Sequence, residues 1–420
     1  MLKFVQITIK KILNVKETDR NFTKLMLSHM ISNLGDYFYL VSILWVASSI
    51  AEDALYLSTI NLFDTLPGLI FGFFIGAIID KLNKKRIMVN SDFIRAIIIF
   101  VLIVVFSLGK LEIWHIYIAT FLLELFNRIF STSQLAIIPE IIEKENLQKA
   151  NSYSNLITQI MGVIGNSISG LAISVFGILF SLIANALSFI FSGILLSTLR
   201  TKNINNCENS DIDNKISLSK VFREIIEGFV YLKSKPIILL CLSMSFSLSI
   251  ALSSVILIPL YIKNDLSLGA AYYGVIEGSC AFSMIIFSLV LTKKVIKRPV
   301  LYMALSSIII GSSFIFMSIN QNIIILFIGR LVMSTMLSLF NIIFITQLQK
   351  YVESSYSGRV FTISYFFSSI LYPIFSIISG YIATKTSIRF SWLIVGSIVT
   401  IINVINLFVT QTVIGTEGEM

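Results

Sequence analysis

Charge is scarce in this sequence. Asp, Glu, Lys and Arg together make up 13% of its 420 residues, about half of the roughly 25% that a soluble domain spreads over its surface. A water-soluble globule of this length is therefore excluded. Cysteine is nearly absent as well. Cys207, Cys241 and Cys280 stand far apart with no metal-ligand spacing, which excludes a disulfide framework and leaves no metal site expected. Histidine is rarer still. His29 and His115 fall near opposite ends of apolar stretches, so no His-, Ser- or carboxylate-based constellation gathers at one interface, as a membrane-embedded lipid-modifying enzyme would need. No Gly-x-x-x-x-Gly-Lys-Ser/Thr run occurs, which excludes ATP as the direct fuel.

What the chain has in abundance is apolar sequence: 56% of its residues are hydrophobic, and its mean hydropathy is +0.88. The apolar residues come in long runs such as Ile97 to Leu108 and Ile237 to Leu260. Runs of about 20 residues match a hydrocarbon core of roughly 30 Å at about 1.5 Å per helical residue. The expected fold is therefore an all-α membrane protein. Hydropathy predicts about twelve transmembrane helices, near 24–48, 56–79, 87–108, 114–138, 152–175, 178–199, 237–260, 271–292, 300–318, 324–347, 358–383 and 390–410.

The charge distribution orients them. With the N-terminus inside, the inner segments hold the basic tail, Lys81 to Arg86, Arg200 to Lys235, and Lys293 to Arg298. The outer ones hold Lys110, Lys263, Lys385 and Arg389. This is the positive-inside asymmetry, and it predicts both termini in the cytoplasm. The net charge of +9 is thus explained by orientation, and no nucleic-acid partner is expected. Trp45, Trp114 and Trp392 fall near predicted outer helix ends, where an indole ring prefers the interface. The first 24 residues carry Lys3, Lys10, Lys11, Lys16, Arg20 and Lys24 without an apolar core or a cleavage site, so no cleaved signal peptide is expected.

The one long polar stretch lies between the sixth and seventh predicted spans. An Asn- and Asp-rich linker there precedes Leu218, Val221, Phe222, Ile225, Ile226, Phe229 and Leu232 at helical spacing, and Pro236 ends the pattern. The expected organisation is a basic tail over 1–23, a six-helix half over 24–199, and a cytoplasmic linker with an amphipathic helix over 200–236. A second six-helix half over 237–410 and a C-terminal tail over 411–420 complete it. Two pseudo-symmetric halves are implied.

The junction after the second span reads Gly72-Phe-Phe-Ile-Gly76-Ala-Ile-Ile-Asp80-Lys81-Leu-Asn-Lys84-Lys85-Arg86. Gly72 and Gly76 would form a small-residue face for close helix approach. Asp80 would cap a neighbouring helix or pair with a cation, and the basic residues would hold the loop against anionic headgroups. This segment resembles the signature loop of the major facilitator superfamily. Leu66-Pro67-Gly68, Arg86 to Ala96 with Asp92 and Arg95, Ile137-Ile138-Pro139-Glu140 followed by Leu147 to Asn151, and Glu227-Gly228 to Lys233 resemble the macrolide-efflux-like exporters of that superfamily. The resemblance spans the N-terminal half and the linker. It implies proton-linked export of hydrophobic drugs or secreted metabolites. The sequence departs from that pattern in two places. The arginine that such exporters often carry early in the fourth span is replaced by Leu123 beside Glu124, with Arg128 one turn deeper. Gly165 to Gly170 keeps glycines where a Gly-Pro pair is usual.

A charge near the bilayer centre costs about 2.5–3.5 kcal/mol on insertion scales, so each one needs a partner, a cavity or a purpose. Asp36 lies mid-span after Gly35. Glu124 lies mid-span with Arg128 four residues on, on the same helix face. The resemblance places all three within reach of substrate, and Asp36 or Glu124 is expected to be the carboxylate that exchanges a proton. Burial disfavours its charge, Arg128 favours it, and their relative movement would gate protonation. Asp64 is placed at the cavity mouth. Glu277 and Arg330 sit at equal depth in two spans and are expected to pair. Asp92 and Arg95 lie close to the cytoplasmic end of their span, where snorkelling and support of the loop are expected.

These readings point to a non-enzymatic secondary transporter. It would export hydrophobic or amphipathic small molecules by proton antiport, with no cofactor beyond the proton gradient. Protons and membrane lipids are its other expected partners, and a monomer is expected. A lipid or lysolipid flippase on the same scaffold and nutrient uptake are the competing functions. The Ile-, Asn- and Lys-rich composition points to an AT-rich bacterial genome and a plasma-membrane location.

Overall fold

Backbone N–H and C=O groups in an apolar stretch have no water to bond, so each stretch satisfies them internally as a helix. A computed structural model describes residues 18–51, 53–142, 147–199, 231–232, 235–291, 296, 298–352 and 354–417. Helices and turns make up these residues, with no strand among them. The helices are α1 (Thr18–Ile50), α2 (Ala54–Lys81), α3 (Lys84–Ser107), α4 (Ile113–Ile141), α5 (Leu147–Ser197), α6 (Pro236–Ser253), α7 (Ala270–Leu291), α8 (Pro299–Ser318), α9 (Ile323–Tyr351), α10 (Ser354–Lys385) and α11 (Ile388–Glu417). Among the described residues, 11 helices are long and apolar enough to cross a membrane.

The predicted spans over 152–175 and 178–199 are two helices that meet at a corner at Gly177 (φ 81, ψ 170), where the backbone is not helical, and α5 denotes both together. Only glycine occupies that backbone region freely, so the corner forms without strain. The amphipathic linker helix, apart from Tyr231 and Leu232, and residues 1–17 of the expected tail lie outside the described residues, while 18–23 belong to α1 and Phe22 joins its buried core. Leu232 is buried with Ile238, Leu242, Leu348, Val352, Val360 and Ile363.

Two compact units emerge: Met1–Val46 with Phe63–Asn214, and Ala47–Leu62 with Lys215–Met420. In the first unit, charged and polar side chains are buried while large apolar ones face outward. Helix α3 buries Ser91, Asp92 and Arg95, yet leaves Ile97 61% and Phe100 62% exposed. Large apolar side chains on the rim suit lipid, while the buried polar groups sit among an otherwise apolar core. Many buried hydroxyls bond the carbonyl one turn back on their own helix, such as Ser42 to Phe38 at 2.7 Å and Ser133 to Ile129 at 2.8 Å. They are satisfied without help from a neighbouring helix.

In the second unit α8 and α11 meet at two glycines. A Cβ on Gly396 would lie 2.7 Å from the Gly311 carbonyl oxygen, and one on Gly311 would lie 3.0 Å from that of Gly396. Only hydrogen at these positions lets the two backbones touch. The helix begun by α6 runs on to Asp265, but tightens over Ser254–Leu257 and widens over Tyr261–Asp265. In the tight turn the Ile258 N–H bonds the Val255 carbonyl rather than that of Ser254. The Ser254 carbonyl, which the tight turn pairs with the Leu257 N–H, also accepts from the Trp392 indole N–H at 3.3 Å. Trp392 is fully buried against Tyr261 and Phe314. The expectation of an interfacial anchor at Trp392 is therefore corrected. The indole N–H needs an acceptor, and the irregular turn offers one inside the core.

Gly72 also departs from expectation. A Cβ there would meet nothing within 4 Å, so it forms no close helix crossing.

Candidate functional site

The charged side chains of the first unit converge from four helices. On α3, Arg95 and Asp92 are 1% and 0% exposed. They are a buried ion pair rather than a snorkelling one, which corrects the sequence reading. Arg95 Nη2 donates to Asp92 Oδ1 and, at 3.3 Å, to Ser32 Oγ of α1. Ser192 of α5 donates to Asp92 Oδ2 at 2.6 Å. The guanidinium also lies over the ring of Phe130 from α4 at 4.8 Å and that of Phe189 from α5 at 4.2 Å. Both contacts favour a desolvated cation.

Asp36 of α1 faces this pair. Its Oδ1 stands 3.7 Å from Arg95 Nη1, and its side chain stays 40% exposed. That distance allows Coulomb attraction but exceeds a hydrogen bond. Gly35 explains how α1 approaches here. A Cβ on it would come within 3.0 Å of Asn185 on α5 and would also strike Ser188. Another α1 residue, Tyr37, packs its ring against Gly162 and Gly165. The glycines that remain without the usual proline thus form the bed for an aromatic ring.

On α4, Glu124 has both oxygens engaged. Arg128 Nε donates to Oε1 at 2.5 Å and Asn127 Nδ2 to Oε2 at 3.0 Å. Arg128 remains 39% exposed. Asp64 of α2 is exposed and lies within electrostatic reach of both Glu124 and Arg128. Asp36 in turn feels Arg95, Asp92 and Glu124. The carboxylates expected from sequence therefore form one electrostatic group in this unit. Arg95, Asp92, Asn127 and Ser192 join it, although sequence reasoning did not place them there. His29 bridges α1 to α5 through Thr158 at 3.0 Å, whereas His115 Nδ1 accepts from the Glu112 N–H at 3.1 Å and caps α4.

The second unit holds the pair of Glu277 on α7 and Arg330 on α9, with Nη2 to Oε1 at 2.5 Å. Their side chains are 16% and 6% exposed. Further along the same two helices, Ser283 meets Ser334 at 3.0 Å and Ser288 meets Ser338 at 2.8 Å.

Around the basic loop, Asn83 caps α3 by accepting from the Arg86 N–H at 3.0 Å. Lys84 pairs with Glu140 at 2.8 Å, and Lys85 donates to the Leu199 carbonyl at 2.7 Å. Lys85 thus meets the negative end of α5. Arg86 is exposed. The surroundings of Gly76 and the side chains of Asp80 and Lys81 lie outside the described residues, as do Lys293 and Lys294.

Comparison with known proteins agrees with this architecture. The chain is 22% identical to macrolide efflux protein A of Streptococcus pyogenes over 87% of its length and 90% of that protein's. It is likewise 22% identical to the uncharacterised MFS-type transporter YvqJ of Bacillus subtilis, over 88% of each chain. Its fold matches the crystal structure of the nucleoside transporter NupG with a TM-score of 0.69, at 14% identity over 92% of this chain and 98% of that one. The family model of the Major Facilitator Superfamily matches residues 25–370. With its apolar helices and bacterial efflux relatives, the chain belongs to the Major Facilitator Superfamily and is a multi-pass transporter of the plasma membrane, not an enzyme.

Proposed function

We propose that the protein is a secondary active exporter of hydrophobic or amphipathic small molecules, driven by proton antiport through alternating access. In this reading twelve helices cross the membrane and both termini are cytoplasmic. The basic loop around Asp80 and Lys84 is the conformational signature of the family. Asp36 is the carboxylate that exchanges a proton for substrate, with Glu124 and Arg128 beside it and Asp64 towards the cavity mouth. The observation that carries the proposal is the unequal treatment of the carboxylates in the first unit. Glu124 is bonded at both oxygens and Asp92 is held by Arg95 and Ser192. Asp36 keeps only a 3.7 Å contact to an arginine that is already engaged. A carboxylate with an incomplete counter-ion can take up a proton from water, or give it back to water when a cation approaches, at modest cost. The similarity to macrolide efflux protein A supports macrolide-like substrates.

The test is accumulation of a fluorescent hydrophobic dye and of a macrolide in cells expressing the protein, with and without a protonophore. The expected result is lowered accumulation that the protonophore abolishes and that Asp36→Asn also abolishes. Full pH-gradient-driven export by both Asp36→Asn and Glu124→Gln would refute the role of these carboxylates. Lipid translocation in vesicles, with no effect on dye or drug, would favour a flippase instead.

A further inference from the structure

The proposed function leaves unexplained why Arg95, one of the most deeply buried cations of the described chain, sits next to a loosely held carboxylate. Its environment is unusual. Nη2 serves Asp92 and Ser32, Nη1 points to Asp36, and Nε has no partner at all. Two phenyl rings, Phe130 and Phe189, hold the guanidinium without demanding a hydrogen-bond direction. Asp92, by contrast, is fixed at both oxygens by Arg95 and Ser192. The cation therefore has one permanent counter-ion on its own helix and one variable counter-ion on α1.

We propose that Arg95 is the positioning residue that sets the charge state of Asp36, through a contact whose length changes as α1 moves against α3. This rests on the reading of Asp36 as the proton-exchanging carboxylate. When Arg95 closes on Asp36, the carboxylate is held ionised. When it withdraws to Asp92, Asp36 takes a proton from the aqueous side to which it is open. Arg95 itself binds neither substrate nor proton. The other charged or titratable groups facing this pair are few. Asp92 lies on α3 itself. His29 and Tyr37 lie on α1, within electrostatic reach of Arg95 and of Asp36 respectively. Glu124 lies on α4 and acts on Asp36. From α5 the pair is met by Ser192 and Phe189, which carry no charge.

The test uses the full chain purified in lipid nanodiscs, with no substrate present. The infrared carbonyl stretch of protonated carboxylic acids is followed from acid to alkaline pH. The band that Asp36→Asn removes belongs to Asp36, and its midpoint is compared among variants. In Asp92→Asn, Arg95 is left with Asp36 as its sole close counter-ion, so the band should form at a pH lower by about one unit, a tenfold change in proton affinity. The single variant Arg95→Gln would strand Asp92 in the core, so the charge-conserving double variant Asp92→Asn/Arg95→Gln is used. There the band should form at a pH higher by about one unit or more. Arg95→Lys should bring it back towards the wild-type value. Midpoints that stay put, or that move in the same direction in both variants as general loosening would cause, would overturn the role of Arg95 while leaving Asp36 intact. If no titrating band disappears in Asp36→Asn, the functional reading of Asp36 fails, and this proposal with it.

Discussion

Consider removing half of the ion pair in the second unit by Glu277→Gln. Arg330 is 5% exposed, and its remaining contacts are poor: Nη1 reaches Met333 Sδ at 3.7 Å and Nε has no partner. The glutamine oxygen can still accept from Nη2, so the change removes charge rather than geometry. A buried pair broken on one side costs about 3–5 kcal/mol, because the survivor is left uncompensated. The double variant Glu277→Gln/Arg330→Gln restores neutrality, and should recover at least ~2 kcal/mol of that loss as coupling. The pair of Glu124 and Arg128 supplies an internal control. It has the same 2.5 Å separation, but Arg128 is 39% exposed. Glu124→Gln should therefore cost about 1 kcal/mol or less. The assay is thermal unfolding followed by far-ultraviolet circular dichroism, which reads the helices of both units and so compares the pair with its control. Equal losses for Glu277→Gln and Glu124→Gln would refute the argument from burial. A double variant as unstable as the sum of its singles would refute the pairing.

Two further outcomes follow from packing in the same unit. Gly396→Ala drives a methyl group into the backbone of α8 at Gly311 and Ile315, where nothing flexible can yield. It should cost about 1–3 kcal/mol by the same unfolding assay, whereas Gly72→Ala, with nothing within 4 Å, should be neutral. Trp392→Phe keeps most of the buried ring but removes the indole hydrogen bond to the Ser254 carbonyl; a loss of about 0.5–1.5 kcal/mol is expected, and none would mean that this bond adds nothing to the turn's own.

The membrane helices were legible because lipid demands the same thing of every span, a run of apolar residues, and such a run can be read without knowing its neighbours. Asp36, Glu124 and Asp64 stood out for the same reason: a charge in an apolar run is conspicuous. Glu277 and Arg330 were legible as partners because depth along two helices can be counted from their ends. Arg95 was misread for a matching reason. Depth alone placed it near the cytoplasm and suggested an escape to the interface. The seal that Phe130, Phe189 and Ser32 form around it comes from three other helices, and no periodicity within α3 encodes it. Trp392 failed likewise, because its partner is a carbonyl in an irregular turn more than a hundred residues away. Close approach at Gly311 and Gly396 was equally hidden, while Gly72, which fitted a recognised spacing, turned out to face open space.

The placement of the ion pairs also bears on how the chain enters the bilayer during synthesis. Arg95 and Asp92 are three residues apart on one helix, and Arg128 and Glu124 four apart on another. Each of those segments can leave the translocon as a neutral unit, with its salt bridge already closed. Glu277 and Arg330 lie 53 residues apart on separate helices. Helix α7 must therefore wait, with an unmatched carboxylate, until α8 has been made and α9 brings the arginine. The first unit closes these pairs helix by helix, while the second closes its own only on assembly, which makes the interval between α7 and α9 the vulnerable stage of its biogenesis.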